Sequence, residues 1–384
     1  MKTHIHNAIL LTPLQRIENS ILTLSDGMIE TLTPAAEFSF ESGIIIDAKG
    51  GYVVPGLVDL HFHGAMGVDT MDAVSSAMEV MSAYCARHGV TTFYPTIWSA
   101  SGEEISAVID CVRTYTGLLP GARIGGVHLE GPYINPGHRG AQLSSFIRKP
   151  ETHEYLPWLE SGVVSIITCA PEVEGCVSLI RDAVRLGVRV AIGHSSASYE
   201  QVKAAADMGV TQATHLFNGM NGLHHRDPGT AGGILDVDRL LAQVICDGVH
   251  LHPAVVRLIF KTKTSSRVAL ITDSIRGAGL ADGMYENRGQ SILVKNGVAR
   301  DTEGRLSGST LTMDQALRNL ITFTACSLEE ALSMVTTVPV DEMGMGASKG
   351  RLAPGYDADL VFLDKELKVT ATMVSGDFVY NRLF

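Results

Sequence analysis

No Cys-x-x-Cys pair occurs among the six cysteines of this 384-residue sequence (Cys85, Cys111, Cys169, Cys176, Cys246 and Cys326), and most stand in apolar runs. They read as buried free thiols in a reducing compartment. A basic excess is also lacking. The formal net charge is −11, which argues against a nucleic-acid-binding protein, because a polyanion needs a basic face. A small anionic substrate, needing only one or two local cations, is not excluded. No apolar run reaches membrane-spanning length, and the N-terminal stretch Met1-Lys2-Thr3-His4-Ile5-His6 has no signal-peptide core. A cytoplasmic protein without nucleic-acid or membrane partners is expected. What is present is apolar: 45% hydrophobic against 18% charged residues, enough for a large core.

The two ends of the chain resemble each other. Near the start, Ile21–Leu24, the turn Ser25-Asp26-Gly27, Met28–Glu30 and Gly43–Asp47 read as short strands; near the end, so do Asp359–Leu363, Ala371–Val374 and Phe378–Tyr380, with a hairpin turn at Ser375-Gly376-Asp377. Neither end has enough strands to close a core, so one small β-sandwich built from both is expected, residues 1–53 with 347–384. Between them, eight β-rich runs recur: Leu57–His61, Val90–Thr96, Ile124–Leu129, Val163–Thr168, Val188–Gly193, Gln212–Leu216, Ala242–Cys246 and Val268–Thr272. Helical stretches Ser76–Arg87, Cys176–Leu186 and Gln201–Met208 intervene, each with a glycine just beyond it as a C-terminal stop. Eight strands alternating with helices predict a (β/α)8 barrel over 54–346, with a doubly wound open sheet as the alternative. The barrel is preferred because polar residues recur at strand ends, where a barrel places its catalytic groups.

Those ends carry the chemistry. In Val58-Asp59-Leu60-His61-Phe62-His63-Gly64 the two histidines fall on one strand face and can share a divalent cation. Further strand ends offer His128-Leu129-Glu130, Gly193-His194-Ser195, His215-Leu216-Phe217-Asn218, Asp247-Gly248-Val249-His250 and Thr272-Asp273-Ser274. In a barrel they converge on one bowl. Imidazole nitrogens and carboxylate oxygens together suit zinc or another borderline divalent ion; Glu130 can bridge two ions, and Asp273, the last acid, is placed to handle protons.

These motifs in this order, with Leu306-Ser307-Gly308-Ser309 and His224-His225-Arg226-Asp227-Pro228-Gly229, resemble the amidohydrolase superfamily and, within it, the N-acetylglucosamine-6-phosphate deacetylase family, nearly end to end. The resemblance implies hydrolysis of an acetamide on an amino-sugar 6-phosphate, with Glu130, His194 and His215 holding one metal. It also implies a second ion on His61, His63, bridging Glu130 and Asp273, so one or two ions per subunit. Zinc comes first, with iron, manganese and cobalt open. Asp273 is implied as general base and then acid. Substrate contacts are implied for Asn218, Gly219, His250 and the Leu306-Ser307-Gly308 loop, and for Arg226 on the phosphate, reaching across a homodimer. At Ala141-Gln142 the family position near the scissile carbonyl, His in some members, is Gln, which donates a hydrogen bond but carries no charge. The segment after strand four, Ile167–Glu172, lacks the lysine that other branches of the superfamily carboxylate to bridge metals.

Other features read as structural. His4 and His6 lie at an exposed N-terminal edge; His88 sits at a helix end; His128 is a hydrogen-bonded neighbour of the site; His138, His153 and His252 are surface or packing residues. His224 or His225 takes a substrate-side role. Met78, Met81 and Cys85 form a buried helix face, and Gly277-Ala278-Gly279 opens no dinucleotide-binding unit. Two rival readings remain: a deacetylase of the galactosamine epimer or another acylated amino-sugar phosphate, and a non-catalytic barrel, which would be metal-free.

Overall fold

The computed structural model describes residues 2–39, 42–115, 119–287 and 289–383. Eight parallel strands follow one another in chain order around a barrel: β1 (Leu57–Phe62), β2 (Val90–Ile97), β3 (Val127–Glu130), β4 (Val164–Cys169), β5 (Arg189–Ile192), β6 (Gln212–Ala213), β7 (Leu241–Ile245) and β8 (Val268–Ile271). They coincide with the eight expected runs, except that β6 is only two residues long and the chain from Thr214 onward leaves the ladder to form the site. Valine, isoleucine and leucine fill these strands, which are buried on both faces as a helix-covered parallel sheet requires.

The barrel closes between β8 and β1 by other means than a regular ladder. At the upper end a single parallel bridge joins Phe62 to Ser274; the amide of Asp273 donates to the carbonyl of His61 (2.9 Å), and those of His63 and Gly64 donate to Ser274 (2.9 and 3.0 Å). Midway, the buried Asp59 carboxylate accepts from the Thr272 amide (3.2 Å) and hydroxyl (2.5 Å). At the lower end the carbonyls of Met334 and Val335 accept from Leu270 and Val58. The seam therefore runs straight into the histidine pair.

The covering helices stop where expected: Gly89, Gly187 and Gly209 follow them at φ of 80°, 78° and 106°. The helix expected from Gln201 begins at Tyr199, because Ser198 caps it by accepting from the Gln201 amide (3.3 Å). The chain termini form two sheets. One orders Met28–Pro34, Ser20–Ser25, Thr3–His6 and Ile44–Asp47; the other orders Asp377–Asn381, Val369–Val374, Leu360–Leu363, Tyr52–Pro55, Ile9–Thr12 and Gln15–Ile17. Ile5, Leu22 and Ile46 of the first share a core with Leu10, Val53 and Phe362 of the second. The loops Asp26-Gly27 and Ser375-Gly376 have positive φ at both residues, as two-residue hairpins need. His4 corrects an expectation: its strand is interior to the sheet, so it is buried rather than at an exposed edge, with Nδ1 3.1 Å from the Thr23 hydroxyl.

A second difference is a three-stranded antiparallel sheet inserted after β8: β9 (Gly283–Asn287), β10 (Gln290–Lys295) and β11 (Val298–Asp301). Its inner face packs Ile292, Val294 and Ala299 against Trp98 and Ile275 at the barrel mouth.

His88 closes the helix Ser75–Arg87 by pairing with Asp314 in the first turn of the helix Met313–Thr324 (Nδ1–Oδ1 3.0 Å), and Arg318 holds the other carboxylate oxygen at 2.9 Å. Burial works against ionisation of Asp314, but these partners outweigh it and hold its pKa at about 2. A depressed folded-state pKa adds stability above the unfolded value of about 4, and that stability is lost as pH falls through the folded one; the difference amounts to about 2 kcal/mol. Asp314→Asn is expected to cost about that much in urea unfolding at neutral pH, with the gap to wild type closing below about pH 4. A gap independent of pH would contradict the pairing.

Candidate metal centre

At the barrel's C-terminal mouth two groups of donors lie side by side: His61, His63 and Asp273 from β1 and β8, and Glu130, His194 and His215 from β3, β5 and β6. All six are buried. Glu130 ties them together. Its Oε1 lies 2.9 Å from His194 Nε2, 2.8 Å from His215 Nε2 and 3.7 Å from His61 Nε2, while Oε2 lies 3.4 Å from His63 Nε2. Asp273 Oδ1 lies 3.4 and 3.3 Å from the same nitrogens of His61 and His63.

Local backbone geometry turns these side chains inward. His194, His215 and Asp273 adopt φ of +48°, +30° and +50°, a left-handed conformation that costs a non-glycine residue about 1–3 kcal/mol. In each case a neighbouring amide pins the carbonyl: Asn135 to His194 (2.9 Å), Asn218 to His215 (2.9 Å) and Ser309 to Asp273 (2.7 Å). Gly219 packs so closely that a Cβ there would lie 2.9 Å from His194 Nδ1.

The imidazoles are oriented from behind. His63 Nδ1 meets the Thr96 carbonyl (3.1 Å), His194 Nδ1 that of His138 (2.8 Å) and His215 Nδ1 that of Asn218 (3.1 Å). A carbonyl can only accept, so each Nδ1 carries a proton, and in the neutral ring the Nε2 lone pair faces the cluster. These three nitrogens, with His61 Nε2 and two carboxylates, all buried, form a donor set that fits a divalent cation. The charges agree. Burial alone would raise Glu130, yet the facing imidazoles hold it well below the usual carboxylate range. Burial pulls His63 down, but Asp273 and Glu130 outweigh it and lift it to about 10. With two buried carboxylates to neutralise, a proton on His63 occupies the role a cation would take.

His128 is adjacent, with Nδ1 on the Leu60 carbonyl (3.1 Å) and Nε2 2.7 Å from the Thr168 hydroxyl. Both nitrogens are engaged, and burial lowers its pKa to about 3, so it is a neutral neighbour of the cluster.

A cavity of about 250 Å3 opens over the cluster, lined by Ala141, Gln142, Asn218, Gly219, His250, Leu306 and Gly308 among others. Gln142 Nε2 lies 3.4 Å from His194 Nε2, and its Oε1 accepts from the Ser99 amide (2.9 Å). His250 Nδ1 is held by Asp247 (2.6 Å). Ser307 lines the adjoining small cleft instead. Arg226 is exposed on a loop outside the cavity lining, where its Nη1 meets His225 Nε2 at 2.9 Å.

Three residues of the site escaped the sequence analysis. Trp98 lies flat on His63, with ring centroids 3.8 Å apart. Arg305 lines the cavity while paired with Asp301 (2.7 Å) and Glu303 (2.8 Å). Glu172, beyond β4, accepts from the Ser195 hydroxyl (2.7 Å), the Ser196 amide (2.6 Å) and Asn135 Nδ2 (3.0 Å). It thus binds together the two loops that hold His194. Support of this kind is worth about 10–100-fold in metal affinity, so Glu172→Ala is expected to weaken divalent-cation binding by that factor in chelator competition while the chain still folds. Unchanged affinity would show that His194 needs no such brace.

Residues 52–379 match the amidohydrolase family. The N-acetylglucosamine-6-phosphate deacetylase of Bacillus subtilis is 34% identical over 97% of this chain and 95% of its own length. The N-acetylgalactosamine-6-phosphate deacetylase of Escherichia coli O157:H7 is 35% identical over 96% of each. Among solved structures, N-acetylglucosamine-6-phosphate deacetylase from Pasteurella multocida superposes with a TM-score of 0.94 at 26% identity, covering 99% of this chain and 100% of that one. A Mycobacterium smegmatis N-acetyl-D-glucosamine-6-phosphate deacetylase mutant in complex with N-acetyl-D-glucosamine-6-phosphate superposes at 0.91, with 31% identity and 99% of each chain covered. A barrel carrying these donors at its strand ends, matched over nearly its whole length, belongs to the amidohydrolase family, and its two donor groups fit a divalent metal.

Proposed function

We propose that the chain hydrolyses the acetamide of N-acetyl-D-glucosamine 6-phosphate to glucosamine 6-phosphate and acetate. The observation that carries this is Asp273, buried at 3.3–3.4 Å from two imidazoles of the donor cluster and lining a cavity of sugar-phosphate size. The near full-length similarity to deacetylases of that substrate supports it. Glu130, His194 and His215 would hold a divalent ion, zinc by preference, and His61, His63 and Asp273 a second; bound there, it would supply Lewis-acid polarisation and lower the pKa of water.

The residues do the rest. Asp273 takes the proton from the attacking water and delivers it to the amide nitrogen, after which the C–N bond breaks and the amine leaves. Gln142 donates from Nε2 toward the acyl oxygen. His250, its Nδ1 fixed by Asp247, presents Nε2 to a sugar hydroxyl. Asn218 and Gly219 offer polar contacts from the cavity lining, and Leu306–Gly308 covers the substrate. Arg226 pairs with the phosphate from a neighbouring subunit of a cytoplasmic homodimer; its exposed place outside its own cavity supports a role in trans.

Replacing Asp273 by Asn is expected to lower kcat about 10²–10⁴-fold while KM moves little, measured as acetate release. Faster release from N-acetylgalactosamine 6-phosphate than from the glucosamine epimer would transfer the assignment to that substrate. Mixing inactive Asp273→Asn and Arg226→Ala subunits is expected to restore turnover; a mixture that stays inactive would place Arg226 out of the reaction or in its own subunit's site.

A further inference from the structure

We propose that Trp98 is the acyl-length gate of this site, the residue that makes acetyl the longest N-acyl group turned over at full rate. The inference rests on the deacylase reading above and adds the determinant of its acyl specificity. Two cavities meet at the barrel mouth. The larger lies over the donor cluster; the smaller, beside it, is lined by Ser99, Leu143, Asn287, Gln290, Ile292 and Ser307. Trp98, Ala141 and Gln142 line both, so they are the partition.

An acyl group whose carbonyl meets the cluster beside Gln142 has Ala141 and Trp98 as its wall on the side of the small cleft. Ala141 is small, which leaves the indole as the bulk of the barrier. That ring cannot swing away. One face lies against His63, 21° from parallel, and the side chain is wedged against Ile292, Val294 and Ala299 of the inserted sheet. The cleft behind it measures about 20 Å3, room for one water and no acyl chain. Its wall is also ill suited to an apolar tail, because the buried Trp98 Nε1 and Asn287 Oδ1 have no hydrogen-bond partner among the described residues. Lengthening the acyl group therefore drives methylenes into the indole.

The test compares kcat/KM for the N-acetyl, N-propionyl and N-butyryl derivatives of glucosamine 6-phosphate, read as free amine, with metal content per chain measured alongside. Wild type is expected to lose about 10–200-fold for each methylene added. In Trp98→Ala the butyryl-to-acetyl ratio is expected to rise at least tenfold over wild type, mainly through KM. Trp98→Leu, which keeps an apolar contact on His63, is expected to give a smaller rise in the same direction. A Trp98 that merely props up His63 would depress all three substrates equally and leave the ratio unchanged, which overturns the gate. So would a wild type that cleaves butyryl as fast as acetyl, a result needing no variant to fold. Wild type inert toward all three would overturn the deacylase reading and the gate with it, distinguishably from an unchanged ratio.

Discussion

A single buried carboxylate, Glu130, stands between four imidazoles at the floor of the mouth cavity, and the rest of the mouth is arranged around that fact. A buried anion surrounded by neutral donors is unstable unless a positive charge accompanies it. In the cluster a proton on His63 meets part of the need, and a divalent cation would meet all of it. The Nδ1 hydrogen bonds to the carbonyls of Thr96, His138 and Asn218 keep the imidazoles from turning their protons inward. The site is thus specified one layer back, by backbone carbonyls whose positions follow from loop conformation.

That conformation is itself held at some cost. Three residues of the cluster sit in left-handed backbone, and each has a dedicated amide to its carbonyl. The short β6 and the irregular seam between β8 and β1 have the same origin. Strand ladder is given up where the chain must turn a side chain into the bowl, and Asp59, Met334 and Val335 accept the amide hydrogens that the ladder leaves unpaired. Glu172 does for the loops after β3 and β5 what Asp59 does for the seam.

Much of this was legible in the sequence because it is written in periodicity and strand-end chemistry. Eight apolar runs with polar ends locate the barrel, and His61, His63, Glu130, His194, His215 and Asp273 each lie at or within two residues of the end of such a run. The inserted sheet at Gly283–Asp301 was not legible: only one face is buried, its exposed face carries Met284 and Leu293, and nothing local shows that Ile292 and Val294 pack on Trp98. Glu172, Trp98 and Arg305 act through contacts with residues distant in the chain, which no local pattern encodes. His4 misled for the opposite reason, since a residue four from the terminus looks exposed until its strand is seen inside a sheet.

The central claim, that Glu130 unites two donor groups into one cation site, is tested most directly by calorimetric titration of zinc into metal-free wild type and Glu130→Gln. The account predicts saturable binding of at least one ion per chain in wild type, with protons released as the imidazole proton is displaced. It predicts affinity lower by about 100-fold or more in the variant, since the amide removes the charge that both groups share. Equal affinities in the two proteins, or no saturable binding in wild type, would contradict it.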